Sequence, residues 1–400
     1  MGTRRGAVTS DDAPGRADVV VIGSGVVGAA CAYELARLGR HVALVDRGHL
    51  TSGTTASGEG NVLVSDKPPG PELDLALASV ARWHDHAREL TQPFEFEAKG
   101  GIAVSTRRDG GDALARLAEG QRAAGVEVEV LDGAGLRALE PELADDLEVG
   151  AHYPQDAQVQ PVLASSALLA EARRLGAHVV AGAEVTAIER ERDGRVAAVV
   201  TSRGRIASRD VVVAAGPWSP EVARLAGSDL PVRPRKGHLL VTEPLPRLVH
   251  HKVYEADYVD TLVADTAEAQ TSAVVEGTAS GTILLGSSRE LVGFDPSIDL
   301  DIVRRIAAKA VRLFPVLARA SLLRVYVGFR PWVPDHLPII GPDPEVEGLW
   351  HATGHEGAGI GLAPGTGLAI AALLTGSPPP LDLSPFAADR AALAPQAADA

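Results

Sequence analysis

Cysteine is nearly absent from this sequence, and its scarcity excludes whole classes of site. The chain has 400 residues and a single cysteine, Cys31. One thiol rules out an internal disulfide and any metal or iron–sulfur centre that needs several cysteines. Methionine occurs once, as the first residue, and aromatic residues make up 4% of the chain. A methionine-rich recruitment surface is therefore excluded as well.

Positive charge is also in short supply. Lysine and arginine total 38 against 52 aspartate and glutamate residues, which gives a formal net charge of −14. This balance argues against binding to the phosphate backbone of a nucleic acid and against a basic membrane-binding patch. No apolar run reaches the roughly 18 residues of a transmembrane helix. We therefore expect no nucleic-acid partner, no transmembrane segment and a cytoplasmic location.

A strand, a glycine-rich turn, a helix and a second strand follow one another near the start of the chain. The β-branched run Val19–Ile22 is typical of a strand that is buried on both faces. A helix is predicted to follow the turn and to reach about Leu38, with Cys31 on its apolar stripe and therefore in the core. A second strand over Val42–Val45 is closed by Asp46. Together these elements form a βαβ unit.

The turn carries the spacing Gly23-x-Gly25-x-x-Gly28. Gly23 allows a tight turn, Gly25 lets the backbone approach a pyrophosphate, and Gly28 allows close helix–strand packing. The pyrophosphate would lie at the helix N-terminus, where Val27 is also assigned to the cofactor site, and Asp46 would accept hydrogen bonds from a ribose. The motif predicts a bound dinucleotide and leaves open whether that dinucleotide is NAD or FAD.

A second glycine-rich loop, residues 354–361, lies near the other end of the chain. A helix is predicted to begin at Pro364 and Thr366 and to run through Leu374. The N-terminus of such a helix would stabilise negative charge on a reduced flavin. The two loops favour one extended cofactor that is held at both ends, although two unrelated turns would give the same pattern.

The remaining strand and helix signals suggest how the chain is divided. Alternation at 94–97 predicts a half-buried strand, whose paired acids are better explained by a solvated sheet face than by acid/base chemistry. Further strands are predicted at 178–180, 184–189, 196–200, 210–215, 239–242, 282–286 and 322–329, and helices at 162–175 and 302–313. The pattern predicts an α/β fold in which a cofactor domain, assembled from separate parts of the chain, carries an inserted, sheet-rich domain.

Five segments of the sequence resemble a known family. They are DVVVIGSGVVGAACAYELARLGRHVALVDR near the start, SGTTASGEGNV (52–62), VVVAAGPWS (211–219), GFRPWVPDHLPIIG (328–341) and HATGHEGAGIGLAPGTG (351–367). The chain is similar, from about Asp18 to Gly376, to the D-amino-acid oxidase superfamily of FAD enzymes. Within that superfamily it resembles the branch of glycine oxidase, sarcosine oxidase and D-hydroxyproline dehydrogenase.

The resemblance implies a fold and a set of cofactor contacts. A discontinuous Rossmann-like FAD-binding domain would comprise 17–93, 151–225 and 329–376, with an inserted α+β substrate domain of mainly antiparallel sheet at 94–150 and 226–328 and a tail at 377–400. Besides the first glycine motif, the implied FAD contacts are Asp46, Arg47, Thr54, Thr55, Ser57, Gly58, Gly60, Asn61, Val185, Ala215, Gly216, Trp218, Gly357, Gly359, Ile360 and Gly361. FAD is expected to be non-covalent, because Gly328 stands about where sarcosine oxidases attach flavin through cysteine.

Arg330 is the first candidate for binding the substrate. Alternation along 322–329 puts it on the face of the strand opposite Phe329, and Pro331 is expected to end the strand there. A guanidinium can bind a carboxylate through two parallel hydrogen bonds, and the matching arginine does so in glycine oxidase-like enzymes. The alternative is a structural pair with Asp335.

The inserted domain offers further candidates. Tyr254, Tyr258 and His251 are assigned with Arg330 to the catalytic set, and Glu276 falls in the same region, where a substrate cavity would have its roof. Taken alone, each is better explained by a structural role than by a catalytic one. His84 and His86 stand two residues apart and would not share a helix face, so we expect no metal site.

The expected activity is FAD-dependent oxidation of the C–N bond of a small or N-substituted α-amino acid. Two departures from the family concern the electron acceptor and the substrate. Leu284 aligns where sarcosine oxidases carry an oxygen-activating lysine, and the segment around Val274 lacks the tyrosine that glycine oxidase places near its substrate. The acceptor is therefore oxygen or another molecule. An alternative is a flavin-bearing subunit that passes electrons to a partner, and homo-oligomers or heteromeric complexes are both open. An NAD-dependent dehydrogenase is a further rival.

Overall fold

The computed structural model describes residues 13–106, 110–256 and 269–393. Its strands are β1 (Val19–Ile22), β2 (Val42–Val45), β3 (Asn61–Val62), β4 (Gly101–Val104), β5 (Glu129–Asp132), β6 (Val149–Tyr153), β7 (Ala157–Gln158), β8 (His178–Val180), β9 (Val185–Arg190), β10 (Val196–Thr201), β11 (Gly204–Ala207), β12 (Asp210–Val213), β13 (Arg233–Thr242), β14 (Lys252–Glu255), β15 (Gln270–Gly277), β16 (Ile283–Arg289), β17 (Leu322–Trp332), β18 (Ile339–Pro342) and β19 (Leu349–Thr353). Its α-helices are α1 (Val26–Arg37), α2 (Pro71–Glu89), α3 (Gly110–Ala123), α4 (Gly133–Leu139), α5 (Pro161–Arg174), α6 (Ser219–Arg224), α7 (Leu300–Leu313) and α8 (Gly359–Thr375).

The first strand lies near the middle of a six-stranded sheet. The strand order is β18-β19-β12-β1-β2-β8, and every neighbouring pair is parallel except β18 with β19. Val19 and Val21 face one hydrophobic cluster, whereas Val20 and Ile22 face another. Because both faces of the sheet are covered, β1 can be apolar at every position.

Helices cover one face of this sheet, and a small sheet covers the other. On the first face α1 packs against α5 and α8, and α8 packs in turn against α2. Gly367 of α8 approaches Ala30 of α1 so closely that a Cβ on the glycine would lie 2.8 Å from the Ala30 backbone. On the second face, Val199 and Ile206 of the antiparallel sheet β11-β10-β9 join the cluster that contains Val20.

The second layer of the fold is an eight-stranded sheet with the order β17-β13-β16-β15-β14-β4-β6-β5. Only β14 and β4 pair in parallel, and the other neighbours are antiparallel. Helix α7 covers one face of this sheet, with Ile306 and Leu313 in the same cluster as Val275 and Leu285. The predicted α/β fold class is confirmed. The boundary predicted at 328/329 falls inside β17 rather than between elements.

Two local predictions differ from the structure. Residues 94–97 do not form a strand: Glu95 has a φ of 53°, and Glu97 makes only an isolated bridge to Gln158. Positive φ at Glu95 interrupts the extended backbone, so the alternation there does not reflect a sheet. Leu38 is 45% exposed and lies outside the apolar stripe of α1.

The predictions made for two prolines also differ from the structure. Helix α8 begins at Gly359, so Pro364 lies inside it rather than at its start. Pro331 does not end β17, because it pairs with Pro234 in β13 and the strand continues to Trp332. Lys236 exchanges backbone hydrogen bonds with Glu290 on the other side of β13, so by alternation Pro234 and Pro331 form a non-hydrogen-bonded pair, in which a missing N–H costs the ladder nothing.

The described part of the tail packs on the rest of the molecule. Phe386 is fully buried in the cluster that contains α1 and α8, and Leu393 lies in a cluster with Val333. Arg390 binds both carboxylate oxygens of Asp335, with nitrogen–oxygen distances of 2.6 and 2.8 Å. Residues 377–393, the last part of the described chain, are therefore anchored to the rest of the protein.

Across the described ranges, none of the helices is both long enough and apolar enough to cross a membrane.

Candidate functional site

A cleft of about 510 Å³ lies between the two large sheets. The six-stranded sheet contributes the loop after β1, the end of β2 and the loop after β12, and the eight-stranded sheet contributes Gly237, Leu239, Gly328 and Arg330. The carboxyl ends of parallel strands meet at this edge, where α/β sheets bind their ligands. The cleft is therefore built by both layers of the fold.

The first glycine motif forms one wall of the cleft. A Cβ on Gly23 would overlap the carbonyl oxygen of Ala214, and a Cβ on Gly28 would overlap the carbonyl oxygen of Gly23. Gly25 caps α1 with no side-chain hydrogen bond, and the backbone N–H of Val26 donates to Oγ1 of Thr55 (3.0 Å). The start of α1 therefore presents backbone N–H groups and the positive end of its dipole to the cleft.

Asp46 is held at the end of β2 by Ser24, the variable residue inside the glycine motif. The backbone N–H and the hydroxyl of Ser24 both donate to Oδ2 of Asp46, at 2.8 and 2.6 Å, and the N–H of Gly48 donates to Oδ1 at 2.9 Å. Sequence analysis missed Ser24, although its place beside the motif glycines was a usable signal. These contacts fix the carboxylate that would accept ribose hydroxyls.

The loop at 52–61 joins the two layers of the fold. Residues Thr54–Ser57 form a short 3-10 helix, and the Thr54 hydroxyl donates to the carbonyl oxygen of Phe329 in β17 (2.6 Å). A Cβ on Gly328 would lie 2.7 Å from Cβ of Ser57. Residue 328 therefore has no room for a side chain that could attach a flavin.

The second glycine-rich loop forms the opposite wall. Its His355 is buried, and burial lowers the pKa of that imidazole to about 3, so the ring is neutral; its Nε2 lies 2.9 Å from Oγ1 of Thr366. The Glu356 carboxylate lies 2.7 Å from Nδ1 of His336 and accepts a hydrogen bond from Arg235 at 3.1 Å. These contacts hold the loop just ahead of α8, whose first turn lines the cleft.

Most of the predicted cofactor residues are brought together in the cleft. Those that line it are Gly23, Gly25, Val27, Asp46, Arg47, Thr54, Thr55, Ser57, Gly58, Asn61, Val185, Ala215, Gly216, Trp218, Gly357, Gly359 and Ile360. Gly28, Gly60 and Gly361 lie behind the wall and permit close packing instead. A Cβ on Gly60 would overlap the carbonyl oxygen of Val159, and one on Gly361 would lie 3.2 Å from that of Asn61.

Arg330 lines the cleft from β17. Its Nη1 donates to the carbonyl oxygen of Ser288 in β16 (2.9 Å), and its guanidinium lies over Gly237 of the intervening strand. A Cβ on Gly357 would lie 3.4 Å from Nε, so the side chain also borders the second glycine-rich loop. The alternative partner Asp335 is bound by Arg390.

Two of the other predicted catalytic residues, Tyr254 and His251, do not line the cleft with Arg330. Tyr254 is buried in the main hydrophobic cluster, where burial raises the pKa of its phenol well above the ordinary value. Nδ1 of His251 lies 2.9 Å from Oε1 of Glu140, and its ring stands edge-on to His152. Neither is among the described residues that line the cleft. Tyr258 lies outside the described residues.

Glu276 belongs to a buried group of charges that reaches the cleft. Its Oε2 lies 3.1 Å from Nζ of Lys252, which lies 3.5 Å from Oε2 of Glu59, and Glu59 lines the cleft. Sequence analysis missed Glu59, whose signal was a lone charge between two glycines. Leu284, the residue aligned with the oxygen-activating lysine, lies opposite Glu276 in the neighbouring strand.

The residues present fit FAD. Both Asp46 and Arg330 line the cleft, and the N-termini of α1 and α8 both open into it. Two helix N-termini suit a diphosphate and a ring system that becomes anionic on reduction. The N-cap residues of the two helices, Gly25 and Ala358, make no side-chain hydrogen bond to the N–H groups of the helix that follows.

Comparison with known proteins agrees with this geometry. The family described as FAD dependent oxidoreductase (DAO) matches residues 18–373. The chain is 31% identical to hydrogen cyanide synthase subunit HcnC of Pseudomonas aeruginosa, over 93% of this chain and 96% of that protein. It is 30% identical to glycine oxidase of Geobacillus kaustophilus, over 94% of this chain and 97% of that protein.

A solved structure gives the same result. The crystal structure of glycine oxidase from Geobacillus kaustophilus has a TM-score of 0.84 to this chain at 28% identity, and the match covers 94% of this chain and 99% of that one. The resemblance seen in the sequence motifs is confirmed, and FAD is the cofactor for which the cleft is built. The chain belongs to the DAO family of FAD-dependent oxidoreductases.

Proposed function

We propose that the protein oxidises the C–N bond of a small or N-substituted α-amino acid. The observation that carries this proposal is the guanidinium of Arg330 at the wall of the cleft, fixed by Ser288 and bordered by the second glycine-rich loop. A fixed guanidinium suits a carboxylate, because it offers parallel N–H donors. The similarity to glycine oxidase supports the same class of substrate.

Arg330 holds the substrate's carboxylate and so directs its α-carbon into the cleft. Bound FAD supplies the acceptor for the hydride that leaves this carbon. As the C–H bond breaks, the nitrogen lone pair of the neutral amine forms a C=N bond, and water hydrolyses the resulting imine to an oxo acid and an amine. Positioning is the protein's main contribution, because this route needs a deprotonated amine rather than a dedicated base.

We further propose that FAD is held without a covalent bond. Ser57 fills the space beside Gly328, and the single cysteine, Cys31, is fully buried in α1. Burial raises the pKa of the Cys31 thiol to about 12, so it is protonated and unreactive.

A second candidate is a flavin-bearing subunit that passes electrons to a partner rather than to oxygen. The similarity to a subunit of hydrogen cyanide synthase favours it, as does Leu284 at the position aligned with an oxygen-activating lysine. The rate at which reduced flavin is reoxidised in aerated buffer separates the two. Fast reoxidation favours an oxidase, and slow reoxidation that a dye acceptor accelerates favours the subunit.

Product analysis tests the proposed reaction. Purified holoprotein is incubated with glycine, sarcosine, D-proline or a longer N-alkylglycine and with a two-electron dye acceptor. We expect the oxo acid and the reduced dye in equal amounts with at least one of these acids. For glycine and N-alkylglycines, an equal amount of free amine is also expected, whereas ring opening of D-proline keeps the amine in the product. Dye reduction without an oxo acid would contradict C–N oxidation.

A further inference from the structure

The carboxylate of Glu59 lines the cleft and is 9% exposed. Its Oε2 accepts a hydrogen bond from Nδ2 of Asn61 (3.0 Å) and lies 3.5 Å from Nζ of Lys252. Its Oε1 is buried and has no hydrogen-bond partner among the residues that the structure describes. Leaving a buried carboxylate oxygen unpaired destabilises a fold, so such an oxygen points to a ligand that completes its hydrogen bonding.

The charges around Glu59 leave an excess of one negative charge. The Lys252 ammonium lies between two carboxylates, Glu59 and Glu276. Lys99 is also close to Glu276, but its ammonium donates to the carbonyl oxygen of Gly277 (2.6 Å) and lies 3.4 Å from Glu97, which balances its charge. A cationic or N–H-bearing group in the cleft would compensate the remaining charge.

Glu59 and Arg330 lie over the same face of the eight-stranded sheet. The Arg330 guanidinium lies over Gly237, and the Glu59 carboxylate lies over Gly286 beside the side chain of Leu239. Gly237 and Leu239 are two residues apart in β13, so they face the same way and are about 7 Å apart along the strand. The wall of the cleft thus carries a cation and an anion at about this spacing.

We propose that Glu59 binds the amino group of the substrate while Arg330 binds its carboxylate. This inference rests on the amino-acid oxidation proposed above and names the residue that recognises the amine. Two hydrogen bonds of about 2.9 Å, together with the span of a small α-amino acid, bridge roughly 8 Å between donor and acceptor. The N–H of the amine donates to the Glu59 carboxylate, which lines the cleft and whose Oε1 has no hydrogen-bond partner among the described residues.

This arrangement selects amines over other small acids. An ether acid of the same shape has no N–H to donate, so it leaves the Glu59 carboxylate without the hydrogen bond that the amine supplies. Lys252 lies beside Glu59, and Glu276 pairs with Lys252 rather than with Glu59; neither Lys252 nor Glu276 lines the cleft among the described residues. Lys252 is a positioning residue, whereas Glu59 touches the substrate.

The test compares an amino acid with its oxygen isostere. Methoxyacetate is sarcosine with the N–H group replaced by an ether oxygen. Any other amino acid that reduces the flavin is paired with its own oxygen analogue. The dissociation constant of the amino acid comes from the rate of anaerobic flavin reduction, and that of the isostere comes from its perturbation of the flavin spectrum. Both are measured on holoprotein of the wild type, Glu59→Gln, Glu276→Gln and Arg330→Ala.

We expect Glu59→Gln to lower the affinity for the amino acid about 10- to 100-fold and to change the affinity for the isostere less than about threefold. Glu276→Gln removes the same charge from the same cluster and should keep most of the preference for the amine. Arg330→Ala should lower the affinity for both ligands, because both carry a carboxylate. If Glu59→Gln does not form a holoprotein, Glu59→Asp replaces it in the test. Its shorter side chain keeps the negative charge but moves the carboxylate away from the amine, so this variant should also lose the preference for the amino acid over its isostere.

Two results would overturn the inference, and they are distinguishable. If amino acids reduce the wild-type flavin and Glu59→Gln binds both ligands as the wild type does, or weakens both equally, Glu59 does not recognise the amine although the proposed function stands. If no amino acid reduces the wild-type flavin, the proposed function fails and the inference fails with it.

Discussion

The guanidinium of Arg330 lies directly over Gly237, in the space that a side chain at residue 237 would occupy. The two residues belong to the neighbouring strands β17 and β13, and Arg330 reaches across β13 to the carbonyl oxygen of Ser288. Glycine is therefore needed at 237 to admit the arginine to the cleft. The wall that we propose binds the substrate therefore depends on a small residue as much as on a charged one.

Replacing Arg330 by alanine should raise KM for the amino acid about 10- to 100-fold while FAD stays bound, because a charge-assisted pair is lost and the cofactor contacts remain. Steady-state kinetics and the flavin-to-protein ratio measure the two effects. Arg324→Ala is the matched control, since Arg324 is exposed on the same strand and should leave KM within about twofold of the wild type. Unchanged kinetics for Arg330→Ala would show that Arg330 does not bind the substrate carboxylate.

Replacing Gly28 by alanine should lower both the thermal midpoint and the FAD content. The added Cβ would overlap the carbonyl oxygen of Gly23 and push α1 away from β1, and overpacking of this kind costs about 1–3 kcal/mol. Gly15→Ala is the control, because nothing lies within 4 Å of a Cβ there. Wild-type FAD content in Gly28→Ala would show that the close packing is not required.

Glu34 should stabilise the fold in a way that depends on pH. Burial opposes its ionisation, but hydrogen bonds and charges from His86, Arg82 and Arg37 lower the pKa of its carboxyl from 4.5 to about 2. A depressed carboxyl pKa contributes about 3 kcal/mol above the unfolded-state value, and this contribution is lost as the pH falls towards the folded-state value.

The corresponding measurement is the thermal midpoint of Glu34→Gln against the wild type. We expect a clear gap at pH 7 that narrows as the pH falls from about 4.5 to about 2. Glu142→Gln, at an exposed position, should show no gap at any pH. A gap that is independent of pH would mean that Glu34 acts through packing rather than through charge.

Denaturation should release all of the flavin. Gly328 packs against Ser57 and offers no attachment point, and Cys31 is buried. Precipitation with acid followed by absorbance of the supernatant measures the released fraction. Flavin that remains in the pellet would contradict non-covalent binding.

Local patterns in the sequence were enough to predict the cofactor half of the cleft. The glycine motif, the strand before it and Asp46 after it are close together in the chain, so their spacing alone constrains the geometry. The continuous apolar run at β1 likewise indicated a sheet covered on both faces, and the burial of all four residues Val19–Ile22 confirms it.

The substrate half depended on contacts that spacing does not encode. Glu59 meets Lys252 through the pairing of a loop with a distant strand, and nothing near either residue indicates the other. Pro331 read as the end of a strand, because a proline normally interrupts a ladder, yet Pro234 lies opposite it and no hydrogen bond is lost. Tyr254 was predicted to face a substrate cavity, but its side chain is buried in the hydrophobic core.

The visible spectrum of the purified protein, followed without oxygen as glycine, sarcosine, D-proline and longer N-alkylglycines are added, tests the central claim most directly. The account predicts flavin bands that bleach with at least one of these acids, because the cleft fits FAD and the Arg330 guanidinium lies at its wall. Flavin bands that no amino acid bleaches would contradict the proposed substrate class. A protein that shows no flavin bands even after FAD is supplied would contradict the cofactor site itself.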